Sequence, residues 1–268
     1  MIGPALELSG QAAAGGGDVT LDQQRDNLCG PFHAARILRA TGVTEFDGTP
    51  LDQDLVAVHA GTRLPARPEG PQVPAGAVNR LDYRYDLPRV ESARSGTTPG
   101  GLARAIVSLS GGRLECIPMR GRWTAAVVED VVDRGPSLGA RLIANIRTGP
   151  LWVSRPPLDA VLAQLAGGEP PPVADAEWDV GHFVELVQLV RGRGGALVVV
   201  RDSYPTLGWN AHHVQPPERL ARALTRDDGR AGGVLAVVGA GAGAPVRRMA
   251  RDLSLATELW DNENGGAD

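Results

Sequence analysis

Gln23 stands six positions before Cys29, and Cys29 is followed by Gly30-Pro31 and then by an apolar run of helical spacing. Far downstream, Gly181-His182-Phe183-Val184 opens an apolar stretch, and Asp202 closes the next one. A thiol nucleophile, an imidazole base, a carboxylate that orients the base and an amide that donates to an oxyanion are the four parts of a thiol hydrolase. They occur here in the chain order Gln23, Cys29, His182, Asp202.

Each residue has a chemical reading and a plainer one. Cys29 lies at or just before the first turn of a helix, where the partial positive charge stabilises a thiolate. The plainer fate of a free cysteine is a small buried apolar residue. Gln23 would donate its side-chain amide to the oxyanion together with the Cys29 backbone N–H. Gln24 is adjacent and offers the same group one position later. His182 would take the thiol proton or pair with the thiolate. Asp202 would hold the imidazole tautomer and steady the imidazolium. Otherwise it is a turn aspartate before Ser203-Tyr204-Pro205. Gly30, Gly181, Trp178 and Trp209 are the candidate substrate contacts, Gly30 because a bare backbone admits close approach.

The other thiol and imidazoles are expected to be structural. His33 shares a helix face with Cys29 but lacks an orienting partner, and reads as a pocket-lining or core residue. His212 and His213 are adjacent, with no third ligand at metal spacing, and read as wall residues. Cys116 reads as a core thiol. His59 suits a helix C-terminus. No metal or cofactor is expected.

These residues need elements to hold them. Leu28, Phe32, Ala35 and Leu38 form one helical stripe, with Asp26 or Asn27 available as cap, so a helix is expected over 28–40. Thr49-Pro50 and Thr98-Pro99 carry the start signal of two more helices, ending near His59 and Leu109. Further helices are expected over 124–133, 158–165 and 216–224. Strands are expected over 113–118, 140–147, 182–190, 196–201 and 233–238, with Arg191-Gly-Arg-Gly-Gly195 turning a hairpin. Helices early and antiparallel strands late give an α+β class. The expected division is a flexible 1–17, one domain over 18–240 (helical to about 135, sheet from about 136) and a tail over 241–268 with a short helix near 253–260.

The chain has 268 residues, with 35 glycines and 21 prolines that imply many loops, including a proline-rich one over 61–76. All 27 of its Lys and Arg positions are arginine, which a GC-rich bacterial genome explains more simply than function does. A net charge of −4 argues against a nucleic-acid or anionic-membrane binder. Two cysteines are too few for a disulfide framework. Met1 to Gly17 lacks the basic start and apolar run of a signal peptide. The longest apolar stretch, 233–244, is too short and glycine-rich to span a bilayer. The expectation is a cytoplasmic protein without membrane insertion.

Gln23-x5-Cys29-Gly30, Gly181-His182-Phe183-Val184 and Val200-Arg201-Asp202 together resemble the papain-like cysteine peptidases. More narrowly, they resemble the bacterial branch of double-glycine leader peptidases and its stand-alone relatives. The strand Leu142-Ile-Ala-Asn-Ile146 resembles the one preceding the histidine strand in that fold. The resemblance selects Gln23, by its spacing of six, as the oxyanion amide. It implies a papain-like fold and a peptide or protein substrate, such as a modified-peptide precursor. Two departures are Leu28 where relatives carry an acidic residue, and Asp202-Ser203 where they carry Asp-Pro. The same residues would serve acyl transfer to an amine or thiol, as in a transpeptidase, macrocyclase or transglutaminase-like enzyme. A chain of this fold without the chemistry would be a peptide-binding module.

Overall fold

The computed structural model describes residues 23–264 apart from 68–72, 177 and 227. The expected flexible segment 1–17, the middle of the proline-rich loop and the last four residues lie outside the described residues.

Helix α1 (Cys29–Ala40) buries Ala34, Ile37 and Leu38. A short antiparallel pair follows, β1 (Glu45–Phe46) and β2 (Thr49–Pro50). Thr49-Pro50 therefore pairs instead of opening a helix. Helix α2 (Gln53–Ala60) starts later because the Asp52 carboxylate accepts from Leu55 N at 2.9 Å. It stops at Gly61, whose φ of 66° suits glycine. Strands β3 (Leu64–Pro65) and β4 (Arg89–Val90) pair in parallel. Helix α3 (Pro99–Leu109) is capped by Thr98 as its sequence predicts.

The second half alternates strand and helix more than expected. In order come β5 (Leu114–Met119), α4 (Ala125–Ser137), β6 (Arg141–Arg147), α5 (Leu158–Ala166), β7 (Gly181–Arg191) and β8 (Ala196–Arg201). Then come β9 (His212–Gln215), α6 (Pro217–Thr225), β10 (Gly233–Gly239) and α7 (Gly243–Asp252). Six strands form one sheet in the order β5-β10-β6-β7-β8-β9, every pair antiparallel. The class is α+β. Strand β5 falls in the expected helical part yet joins the sheet, so the division near residue 135 does not hold. Strand β9 went unforeseen because four residues, half of them histidine, carry no alternation.

Side-chain alternation along the strands feeds two cores. Leu142, Val184, Val198 and Val200 pack with α4, α6 and α7 through Val131, Leu220 and Met249. Ile143, Phe183, Leu235 and Val237 pack with α1, α2 and α3 through Ile37, Val56 and Ile106. The sheet is thus covered on both faces. The Cys-bearing helix lies on one of them, directly against β7.

The expected tail over 241–268 is corrected as far as Asn264. Helix α7 buries Val246, Met249 and Ala250, and Leu255 and Trp260 are buried beyond it. The expected short helix near 253–260 is displaced to Gly243–Asp252. Trp260 packs into the α1–α3 core and its Nε1 donates to Asn145 Oδ1 at 3.4 Å. Trp260→Ala is expected to lower unfolding free energy by about 3–5 kcal/mol, the range for truncating a buried aromatic residue. Chemical denaturation checks it, and an unchanged midpoint would restore the tail reading.

Candidate active site

Cys29 is the first residue of α1. The turn before it closes with Leu28 N donating to Arg25 O at 3.0 Å and with Asn27 in left-handed backbone, φ 62°. Asn27 tolerates that conformation better than most side chains. The expected cap by Asp26 or Asn27 does not form: Leu28 holds the cap position and no side chain bonds the helix start. The first helical amides are left facing the thiol, with the positive end of the helix behind it.

His182 is the second residue of β7 and is 2 % exposed. The hairpin aligns Glu185 with Arg201, which brings Asp202, one residue past β8, back toward the start of β7. His182 Nε2 lies 3.1 Å from Asp202 Oδ1. The Cys29 thiol is the other hydrogen-bonding neighbour of the imidazole. With Nε2 on the carboxylate, Nδ1 is the nitrogen left for sulfur. Burial alone would favour the neutral ring, but Asp202 and then Cys29 outweigh it and raise the His182 pKa to about 10. Burial also works against the Asp202 carboxylate. The facing His182, with His213 behind it, holds the group far below the usual carboxylate range. Its Oδ1 further accepts from Ser203 N at 2.7 Å and Tyr204 N at 3.1 Å. A carboxylate held by several N–H groups stays ionised.

Aromatic rings cover this pair. The Trp178 ring stands edge-on to His182 at 4.8 Å between centroids, and Tyr204 stacks near it at 6.1 Å. Water is kept from the His182–Asp202 contact, which strengthens it. Tyr204, fully buried, went unnoticed in the sequence because a tyrosine beside a proline reads as a turn.

Of the two glutamines, Gln24 and not the expected Gln23 lines the cleft. The Gln23 amide bonds the backbone of Val78, donating to its carbonyl and accepting from its N–H at 3.3 Å. Gln24 is the buried one, at 2 % exposed, and it lines the same cleft as Cys29 and His182. Its backbone N–H donates to Ser203 O at 3.2 Å, and its Oε1 accepts from the Ser203 hydroxyl. That bond turns the amide so that Nε2 is its free end. One residue of register separates the glutamine in the cleft from the one bonded to Val78.

This chain belongs to the family of unknown function DUF6885. The family model matches residues 17–261. No curated protein and no solved structure matches it.

The matched span contains all of the cleft of this DUF6885 member except Asn264. The cleft is about 140 Å³ and is walled by Asp26, Ser95, Thr97, Asn145, Arg230 and Asn264 beside the residues above. Gly181 and Trp178 line it as expected. Gly30 does not: a Cβ there would meet Phe183 Cδ2 at 3.2 Å and Leu102 Cδ2 at 3.3 Å. Its bareness lets α1 approach the sheet and does not serve substrate. Trp209 does not line the cleft either. It sits 56 % exposed on the turn between β8 and β9. A tryptophan near two histidines suggested a groove, but the turn faces it outward.

His33 is a core residue. It is fully buried, neither ring nitrogen has a hydrogen-bond partner among the described residues, and burial drives its pKa well below the ordinary value. The Glu185 carboxylate beside it pairs with Arg36. Cys116 is also structural, its thiol pushed up to about 12 by burial. Among the described residues no group of three or more His, Cys, Asp or Glu side chains could hold a metal ion. No helix among them is long and apolar enough to cross a membrane.

Proposed function

We propose that this protein is a cysteine peptidase of papain-like architecture, cleaving a peptide through an acyl-enzyme on Cys29. The observation that carries the reading is the chain from the half-buried Cys29 thiol to the buried His182 and on to the buried Asp202. It starts at the uncapped N-terminus of a helix.

The proposed steps use these residues. The Cys29 sulfur attacks the peptide carbonyl. The oxyanion is met by the Cys29 backbone N–H and Gln24 Nε2. His182 passes its Nδ1 proton to the leaving amine as the C–N bond breaks. Water then attacks the thioester, His182 takes its proton, and the thiolate departs. Asp202 keeps the imidazole in place throughout. The Trp178 indole N–H is buried and without a hydrogen-bond partner among the described residues, beside His182.

The test is alkylation by iodoacetamide near pH 7, read by intact mass with peptide mapping. Cys29 is expected to react at least tenfold faster than Cys116, whose thiol is buried, and His182→Ala is expected to remove most of that difference. Equal, slow labelling of both cysteines would overturn the reading. Incubation with a peptide library then separates hydrolysis from transfer by product mass.

A further inference from the structure

Asp202 has a second imidazole. On the side away from His182, His213 Nε2 lies 3.9 Å from Asp202 Oδ2, and His213 is 3 % exposed. Nothing in the catalytic steps above uses His213, and its neighbour His212 turns outward to bond Asn210 O at 3.0 Å.

The protonation of His213 can be deduced from its other contact. Gln215 pairs with both backbone polar groups of Trp152: Oε1 accepts from Trp152 N at 2.7 Å and Nε2 donates to Trp152 O at 3.0 Å. That two-bond clamp fixes which end of the Gln215 amide carries hydrogens, because a flipped amide would oppose like groups on both sides. The Nε2 so fixed lies 3.0 Å from His213 Nδ1. It can only donate there, so Nδ1 accepts and the His213 proton resides on Nε2. That N–H is the one aimed at Asp202.

We infer that His213 is a positioning residue, an Nε2–H imidazole set by Gln215 that aims its N–H at the far oxygen of Asp202 from 3.9 Å and helps hold that carboxylate aligned on His182. The inference rests on reading Cys29, His182 and Asp202 as a catalytic set. It gives Asp202 polar hydrogens facing both oxygens: His182, Ser203 N and Tyr204 N bond Oδ1, and His213 Nε2 faces Oδ2 at 3.9 Å, longer than a hydrogen bond. It also links the thiol to the Trp152 backbone, in the loop after β6, through side chains alone.

The experiment compares His213→Leu, His213→Gln and Gln215→Leu in the full chain. The readouts are iodoacetamide labelling of Cys29 and nitrogen-15 imidazole spectra. The leucine at 213 keeps bulk and loses the donor. It is expected to slow labelling about two- to tenfold, the size of one modest polar contact. The glutamine can donate from its own Nε2 and is expected to restore most of the rate. Gln215→Leu leaves both imidazoles in place and is expected to let the second His213 tautomer appear. Labelling at the parent rate in His213→Leu, or a wild-type His213 protonated at Nδ1, overturns the inference. If the parent itself labels no faster than Cys116, the catalytic reading fails instead, and the tautomer spectrum still decides the His213 assignment. Should His213→Leu fold poorly by thermal melting, Gln215→Leu and the wild-type spectrum carry the test.

Discussion

Replacing Gln24 with alanine is expected to slow acylation of Cys29 by about 10²–10³-fold, the usual loss for one oxyanion donor. Gln23→Ala should leave the rate within about twofold, because the Gln23 amide bonds Val78 and does not line the cleft. The two glutamines are adjacent and chemically identical, so the contrast isolates position. Gln24 is buried in the cleft with its carbonyl oxygen held by Ser203, while Gln23 spends its amide on Val78. An activated ester such as p-nitrophenyl acetate serves as probe, with nitrophenolate release timing the step and intact mass reporting the acyl-enzyme. Losing the rate in Gln23→Ala and keeping it in Gln24→Ala would show that the working register is the one the spacing of six implies.

Asp202→Asn is expected to slow the same acylation by about 10³–10⁴-fold, by analogy with the loss seen when an orienting carboxylate becomes an amide. It should also change how stability depends on pH. His182 keeps its proton to about 10 in the folded protein, against 6.5 for a free imidazole. Between those values the native state binds more protons, so stability falls as pH rises. The pair's contribution is complete below about 6.5 and lost as pH climbs toward 10. Asp202 works in the opposite sense. Its folded pKa lies far below 3.8, so its contribution is present above 3.8 and lost as pH falls below it. In Asp202→Asn, burial acts on His182 without the facing carboxylate, the ring turns neutral, and the alkaline slope should flatten. Melting temperatures of parent and variant from pH 4 to 10 test this. Parallel profiles would mean that the His182–Asp202 contact carries little of the stability.

Local rules made much of this protein legible. Thr98-Pro99 and Gly61 mark helix ends by backbone chemistry that needs no distant partner, and both marks are where the sequence places them. The apolar runs at 141–147 and 196–201 are strands because nothing but a sheet interior accommodates them. Cys29 before a helical stripe, His182 at a strand start and Asp202 at a strand end were visible as residue types in order. The Gly-rich turn between β7 and β8 made the His182–Asp202 meeting foreseeable.

What only the tertiary structure decided turns on contacts between segments far apart in the chain. Ser203 chooses Gln24 over Gln23 across 179 residues, through a hydroxyl bond that spacing cannot encode. Trp152 reaches Gln215 across 63 residues, and so fixes the amide that faces His213, where the sequence suggested only a wall. The segment after α7 belongs to the core because Trp260 finds Asn145 and the α1–α3 layer, although its own composition is that of a tail. Gly30 is bare because Phe183 lies 3.2 Å from where a Cβ would be. The division follows from range: turn, cap and alternation energies act within a few residues and are written in the local sequence, whereas the choice of a hydrogen-bond partner for a buried side chain depends on what folding packs beside it.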